Sequence, residues 1–144
     1  KEKIDFKNLS LKNGIAINMG NPHVVFFVND INKINISEIG PLIENNSLFP
    51  EKVNVEICQI LNKNKIRTLV WERGAGKTLA CGSGACASLV AAHENKLSNS
   101  KAEIVLDGGS LFITWNLNSN NHVIMSGPIA VSFLGDLSTL GLEK

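Results

Sequence analysis

Apolar residues in this chain fall mainly in short runs rich in β-branched and aromatic side chains, each closed off by Gly, Asn, Asp or Lys. Runs of that kind predict strands rather than long amphipathic helices. "GIAINMG" (Gly14 to Gly20) and "HVVFFV" (His23 to Val28) are separated by Gly20-Asn21-Pro22 and predict two strands joined at a tight corner. "INKINISEIGPLIENN" (Ile31 to Asn46) places Ile36, Ile39, Leu42 and Ile43 near helical spacing, so a short helix is expected, capped by Ser37 and broken at Pro41. "VNVEICQIL" (Val53 to Leu61) and "IRTLVWE" (Ile66 to Glu72) flank the polar turn "NKNK" and predict a hairpin. "AEIVLD", "SLFITWN", "HVIMSG" and "AVSFL" predict four further strands toward the C-terminal end.

One segment breaks this rhythm. From Gly82, "GSGACASLVAAHENKL" is small and helix-compatible, and its first polar face comes only at His93-Glu94-Asn95-Lys96. A helix with no polar stripe over its first turns is buried on all sides. The expected fold is therefore α+β: a strongly bent, mostly antiparallel sheet wrapped around one buried central helix. No linker, repeat or low-complexity stretch divides residues 1–144, so a single domain is expected.

Charge adds little. Fourteen basic and 13 acidic residues leave a net charge of +1 with no like-charge block, which argues against a nucleic-acid or membrane-surface partner. No apolar run approaches the length of a membrane span, and the N-terminal "KEKIDFKNLSLKNG" has no signal-peptide core. Three cysteines without CxxC spacing suit a reducing compartment better than a disulfide framework or a zinc site, so the cytoplasm is expected, with no metal and no cofactor. A chain that starts at Lys1 rather than Met suggests trimming.

Two motifs in "WERGAGKTLACGSGACASLV" compete for the chemistry. A phosphate loop needs Gly five residues before the Gly of Gly-Lys-Thr, and that position is Trp71. "GAGKT" is therefore expected to be a flexible loop after a strand. Cys81 stands immediately before the helix start at Gly82-Ser83-Gly84, where unpaired first-turn amides and the helix dipole favour an anion. A helix N-terminus is worth roughly 0.3–2 kcal/mol, at most about one to one and a half pK units, which would bring a thiol from near 8.5 to roughly 7 to 8. Cys86, inside the Ala-rich helix, and Cys58, in a strand, are expected to be packing residues. Glu72-Arg73 at a strand end is either a solvated pair or, through Arg73, a bidentate carboxylate grip. Asn21 and His23 either shape the turn around Pro22 or point into a site.

The segments "MGNPHVVFFV", "FPEKVNVEI", "WERGAGKTLACGSGACAS" and "MSGPIAVSFLG", in this order, resemble the C-terminal half of diaminopimelate epimerases, from about Gly14 onward. The resemblance implies inversion at an α-carbon without pyridoxal phosphate, converting LL-2,6-diaminopimelate to the meso form for lysine and cell-wall synthesis. It implies a thiol acid/base pair of which Cys81 is one member, with the substrate carboxylate against the Gly82 and Ser83 amides. It assigns Asn21, Asn54 and Arg73 to the distal end of the substrate, Glu72 to substrate contact, and His23 with Glu72 to tuning of the thiols. The family's other cysteine belongs to a "GNGxRC"-like segment in an N-terminal half, which is absent from this sequence. The expectation is thus one half of a two-domain homodimeric enzyme, inactive alone. Lys77 departs from the acidic residue usual in the family. The alternatives are a proline racemase-like enzyme and a non-catalytic amino-acid-binding domain of the same fold.

Overall fold

The computed structural model describes residues 3–6, 11–118 and 120–135. Nine strands form one sheet among them, and two α-helices pack on its opposite faces. Strand β1 (Lys3–Phe6) pairs antiparallel with β2 (Leu11–Asn18), which turns at Met19–Asn21 into β3 (Pro22–Phe27). Gly20 takes φ +94° in that corner, a left-handed conformation in which a side chain would be strained. A single 3-10 turn (Ile31–Lys33) and helix α1 (Ile36–Glu44) then carry the chain across to β4 (Asn54–Asn62), parallel to β3. Strand β5 (Lys65–Glu72) returns antiparallel to β4 as the expected hairpin.

The far edge of β5 is divided between two partners. The short β6 (Gly76–Thr78) folds back on its last residues, and β7 (Lys101–Leu106) runs parallel to its first. Helix α2 (Gly82–Glu94) is the connection between β6 and β7. Strands β8 (Gly109–Trp115) and β9 (Val123–Ser126) complete the sheet as an antiparallel meander.

Period-two alternation distributes the two cores. Val24 and Phe26 of β3, Val55 and Ile57 of β4 and Trp71 of β5 pack with Ile36 and Ile43 of α1. The intervening Val25, Cys58, Ile66 and Val70 face α2. Strands covered on both faces read as nearly continuous apolar runs, which is why "HVVFFV" shows no alternation. Helix α2 touches β2, β3, β4, β5, β7, β8 and β9, and buries Gly84, Ala85, Cys86, Ala87, Ser88, Leu89, Ala91 and Ala92. Alanine and glycine let strands approach the helix from every side, and this produces the bent sheet around a central helix that the pattern predicts.

Three local expectations need correction. The cap of α1 is Asn35, whose Oδ1 accepts from the Ser37 amide, rather than Ser37 itself. Pro41 lies inside α1 without ending it; Asn45 closes the helix by donating its backbone and side-chain amides to the Pro41 carbonyl. "AVSFL" is not a strand: residues 127–135 have no regular structure, and Ile129, Val131, Phe133 and Leu134 are largely exposed. An extended segment needs a neighbour for its amides and carbonyls, and β9 is the last strand of the sheet on that side.

Glu44, at the end of α1, fastens the helix to the rim of the sheet. Its carboxylate accepts from Trp71 Nε1 at 2.7 Å and from the Gly74 amide at 2.9 Å. The Trp71 bond is the main cause that holds its pKa below the ordinary value. A depressed carboxylate contributes stability that is present above its unfolded pKa and lost as pH falls through the folded one. Glu44→Ala, which strands both donors, is expected to cost about 1–3 kcal/mol. In thermal melts, the gap between wild type and variant should narrow as pH falls below 4.5; a gap independent of pH would contradict the assignment.

Candidate active site

The start of β3, the end of β5 and the start of α2 meet at one rim of the sheet. Cys81 is the N-cap of α2, in extended conformation (φ −138°, ψ 116°), and its Sγ accepts from the Gly84 amide at 3.3 Å. The Ala85 amide bonds the Cys81 carbonyl. The Gly82 and Ser83 amides have no carbonyl within the helix to meet and are the donors left for a ligand. Gly84 must be glycine for lack of space: a Cβ there would lie 2.7 Å from Glu56 Oε1 and 3.3 Å from Cys81 Sγ.

A chain of polar contacts runs from the thiol into the core. Cys81 Sγ lies 3.5 Å from Ser83 Oγ, and Ser83 Oγ accepts from Asn21 Nδ2 at 3.3 Å. Asn21 Oδ1 lies 2.9 Å from His23 Nε2, and His23 Nδ1 lies 2.7 Å from Glu56 Oε1. His23 and Glu56 are fully enclosed, and hydrogen bonds connect His23 to the thiol through Asn21 and Ser83. Glu56 is the residue that sequence reasoning passed over. The signal was available in "VNVEI", since alternation from Asn54 puts Glu56 on the face turned toward α2.

The remaining predicted residues frame the rim. Asn54 is almost fully buried, with Nδ2 donating to the Pro22 carbonyl and Oδ1 accepting from the Arg73 amide. Both ends of its side chain thus join β3 to the end of β5. Arg73 is exposed, and one guanidinium nitrogen donates to the Glu51 carbonyl. Glu72 accepts from Thr78 Oγ1 at 2.6 Å, a bond that closes the β5–β6 hairpin and aims its carboxylate. "GAGKT" is therefore the end of a tight turn (Gly74, Ala75) and a paired strand (Gly76–Thr78) rather than the flexible loop expected from sequence. Lys77 pairs with Asp107 at 3.5 Å, away from Cys81.

The electrostatics of the thiol differ from expectation. Burial is the largest influence on Cys81 and raises its pKa above the ordinary thiol value. Donation from Ser83 and Gly84 pulls it down by less, while the nearby Glu72 pushes it up. The helix start therefore offsets part of the desolvation but does not overcome it. Cys58, sealed between Thr68 and Ser88, is pushed up to about 12 by burial. Burial also raises Cys86. All three are free thiols, and Cys58 and Cys86 sit in the core as expected.

Among the described residues no cluster of His, Cys, Asp or Glu could hold a metal ion, and no helix is long and apolar enough to cross a membrane. A cavity of about 410 Å³, lined by Asn64, Lys101, Glu103 and Phe112 among others, shares no residue with the rim. The site is an open edge.

A single thiol thus caps a buried helix at this rim, beside the first-turn amides of Gly82 and Ser83. The sequence model of the diaminopimelate epimerase family matches residues 15–131, and the chain belongs to that family. It is 49% identical over 128 residues to the diaminopimelate epimerase of Rhodospirillum centenum, covering 89% of this chain and 43% of the relative. It is 46% identical over 136 residues to that of Bacteroides thetaiotaomicron, covering 94% of this chain and 51% of the relative. The chain thus spans about half the length of these relatives. The fold resembles a Bacillus anthracis phenazine biosynthesis protein of the PhzF family, with a TM-score of 0.53 and 21% identity, covering 78% of this chain and 37% of that one.

A raised thiol is protonated at neutral pH, so the thiolate absorbance of Cys81 should appear only under alkaline conditions. In a titration at 240 nm, the difference between the chain and its Cys81→Ser variant is expected to rise above the ordinary thiol value. A midpoint between roughly 7 and 8, the range a dominant helix dipole would give, would reverse the balance argued for burial.

Proposed function

We propose that this chain is the C-terminal half of an enzyme that epimerises LL-2,6-diaminopimelate to the meso form by a two-thiol mechanism without pyridoxal phosphate, serving lysine and peptidoglycan synthesis in the cytoplasm. The observation that carries the reading is Cys81 at the cap of α2, beside two first-turn amides free to receive a carboxylate. Inversion needs a base on one face of the α-carbon and an acid on the other. A thiolate of the other half removes the α-proton, and the electron pair of the broken C–H bond moves toward the carboxylate held by the Gly82 and Ser83 amides. Cys81, protonated because it is buried, gives its S–H proton to the opposite face and is left as a thiolate. The reverse direction exchanges the roles.

Within this reading Arg73 grips the distal carboxylate, Asn21 and Asn54 help hold that end of the substrate, and Glu72 contacts substrate from the strand end. Glu72 and His23 tune the thiol, Glu72 through its charge and His23 through Asn21 and Ser83. Residues 1–144 act as one domain beside a second that brings the other cysteine, and the complete protein is a homodimer. Exposed Ile129, Val131, Phe133 and Leu134 support a covering partner on this edge.

The test is exchange of the α-proton in deuterated solvent. The complete protein, with its N-terminal half, should exchange diaminopimelate and leave proline untouched, while the 144-residue chain alone should exchange neither. Cys81→Ser in the complete protein should lower kcat by at least about a hundredfold, the scale of a positioned acid or base. Turnover by the chain alone, or a Cys81→Ser variant that turns over normally, would overturn the two-thiol reading; exchange of proline would overturn the substrate.

A further inference from the structure

We propose that Glu56 is a positioning residue for the Cys81 thiol: it donates a hydrogen bond to His23 Nδ1 and so sets the direction of the hydrogen-bond chain that ends on sulfur. This rests on the epimerase reading for its catalytic consequence, though not for its structural content. Two independent observations fix the direction. The first is Glu56 itself, which is wholly buried, with Oε1 on His23 and Oε2 without a hydrogen-bond partner among the described residues. A buried carboxylate with one oxygen unpartnered is far costlier than a neutral carboxyl in the same place. Burial accordingly pushes Glu56 upward, more than the contact with His23 pulls it down. A neutral carboxyl bonded through Oε1 donates, so His23 Nδ1 accepts, and the imidazole proton must sit on Nε2.

The second observation is at the other end. Asn21 gives Nδ2 to Ser83 Oγ, which turns its Oδ1 toward His23 Nε2. A carbonyl oxygen can only accept, so Nε2 carries hydrogen on this ground also. Every donor then points the same way: Glu56 to His23, His23 to Asn21, Asn21 to Ser83. Ser83 Oγ, already accepting from Asn21, has its own hydroxyl hydrogen available for Cys81 Sγ at 3.5 Å. A donor aimed at sulfur stabilises the thiolate, the form Cys81 needs when it acts as base or has just given up its proton. Without a donor at Glu56, the proton of His23 can move to Nδ1. Asn21 then reverses its amide, and Ser83 donates to Asn21 instead of Cys81.

Two measurements test this separately from the function. In ¹⁵N-labelled chain, His23 should show a pyrrole-like Nε2 and an imine-like Nδ1 near neutral pH; the opposite tautomer, or two pyrrole-like nitrogens, overturns the proposal whatever the protein catalyses. In the complete protein, Glu56→Gln keeps an N–H for Nδ1 and should hold kcat within about threefold. Glu56→Leu removes the donor and should lower kcat by about tenfold to a hundredfold, part of what a positioned acid or base supplies, with KM within about twofold. A Glu56→Gln variant as impaired as Glu56→Leu would show that ionised charge matters rather than donor direction, and would refute the proposal. If wild type fails to exchange diaminopimelate, the epimerase reading fails, while the tautomer result still decides the structural claim.

Discussion

Burial of α2 inside the curve of the sheet leaves its N-terminal turns no polar side toward water, so its first-turn amides are met at the rim where the sheet stops. An Ala-rich helix touched by seven strands can be enclosed this way because small side chains let backbones come close. The same enclosure makes its start a scarce site. One amide goes to the Cys81 thiol, another to the Cys81 carbonyl, and two remain. The corner at Gly20–Pro22, the end of β5 and the glycine at 84 are all arranged around that opening. The side chains delivered there come from elements far apart in sequence but fixed by parallel register: His23 stands opposite Asn54, and Val25 opposite Glu56.

Two opposing effects meet on the thiol. A helix N-terminus and two donors favour the thiolate by roughly 1 kcal/mol each, on the order of one pK unit apiece at most. Removal from water opposes them and is the larger influence on Cys81, with Glu72 acting in the same sense. A residue that must serve as acid in one direction and base in the other needs its two protonation states close in free energy. Burial separates those states, and the donors at Ser83 and Gly84 bring them nearer again. Cys58 shows what burial does with weaker opposition: also contacted by Ser88 and Thr68 but fully enclosed, it rises to about 12.

The large elements were legible in the sequence because their compositions differ. Runs rich in Val, Ile and Phe gave the strands, and the absence of a polar stripe after Gly82 gave the buried helix. Cys81 was legible from its place before a Gly-rich helix start. What stayed hidden was whatever depended on burial depth or on a partner remote in sequence. Ser37 looks like a cap, yet Asn35 takes the role, in extended conformation with Oδ1 accepting from the Ser37 amide. "GAGKT" looks loose until Thr78 is seen to bond Glu72 across a two-strand turn. Glu56 reads as an ordinary strand residue until Gly84 and His23 close over it. The thiol's raised pKa could not be read from the helix dipole alone, because desolvation is a property of the whole surround.

The segment after β9 carries the same lesson about partners. Ile129, Val131 and Phe133 alternate as a strand should, but alternation only prepares a segment for pairing; it does not supply the neighbouring backbone. Complete burial of each such side chain would contribute about 1.5–3 kcal/mol, so three of them and Leu134 together outweigh much of the entropy of ordering the segment. The position of this segment links that driving force to the chemistry. Met125, just upstream, would be 3.1 Å from a Cβ on Gly82, and Pro128 lines a small cleft with Ala80, the residue before Cys81. A surface laid over these apolar residues therefore also reaches the start of α2. It would exclude water from the two remaining amides and strengthen their hold on a carboxylate. Under the proposed function, covering this apolar edge and completing the carboxylate site would be one event.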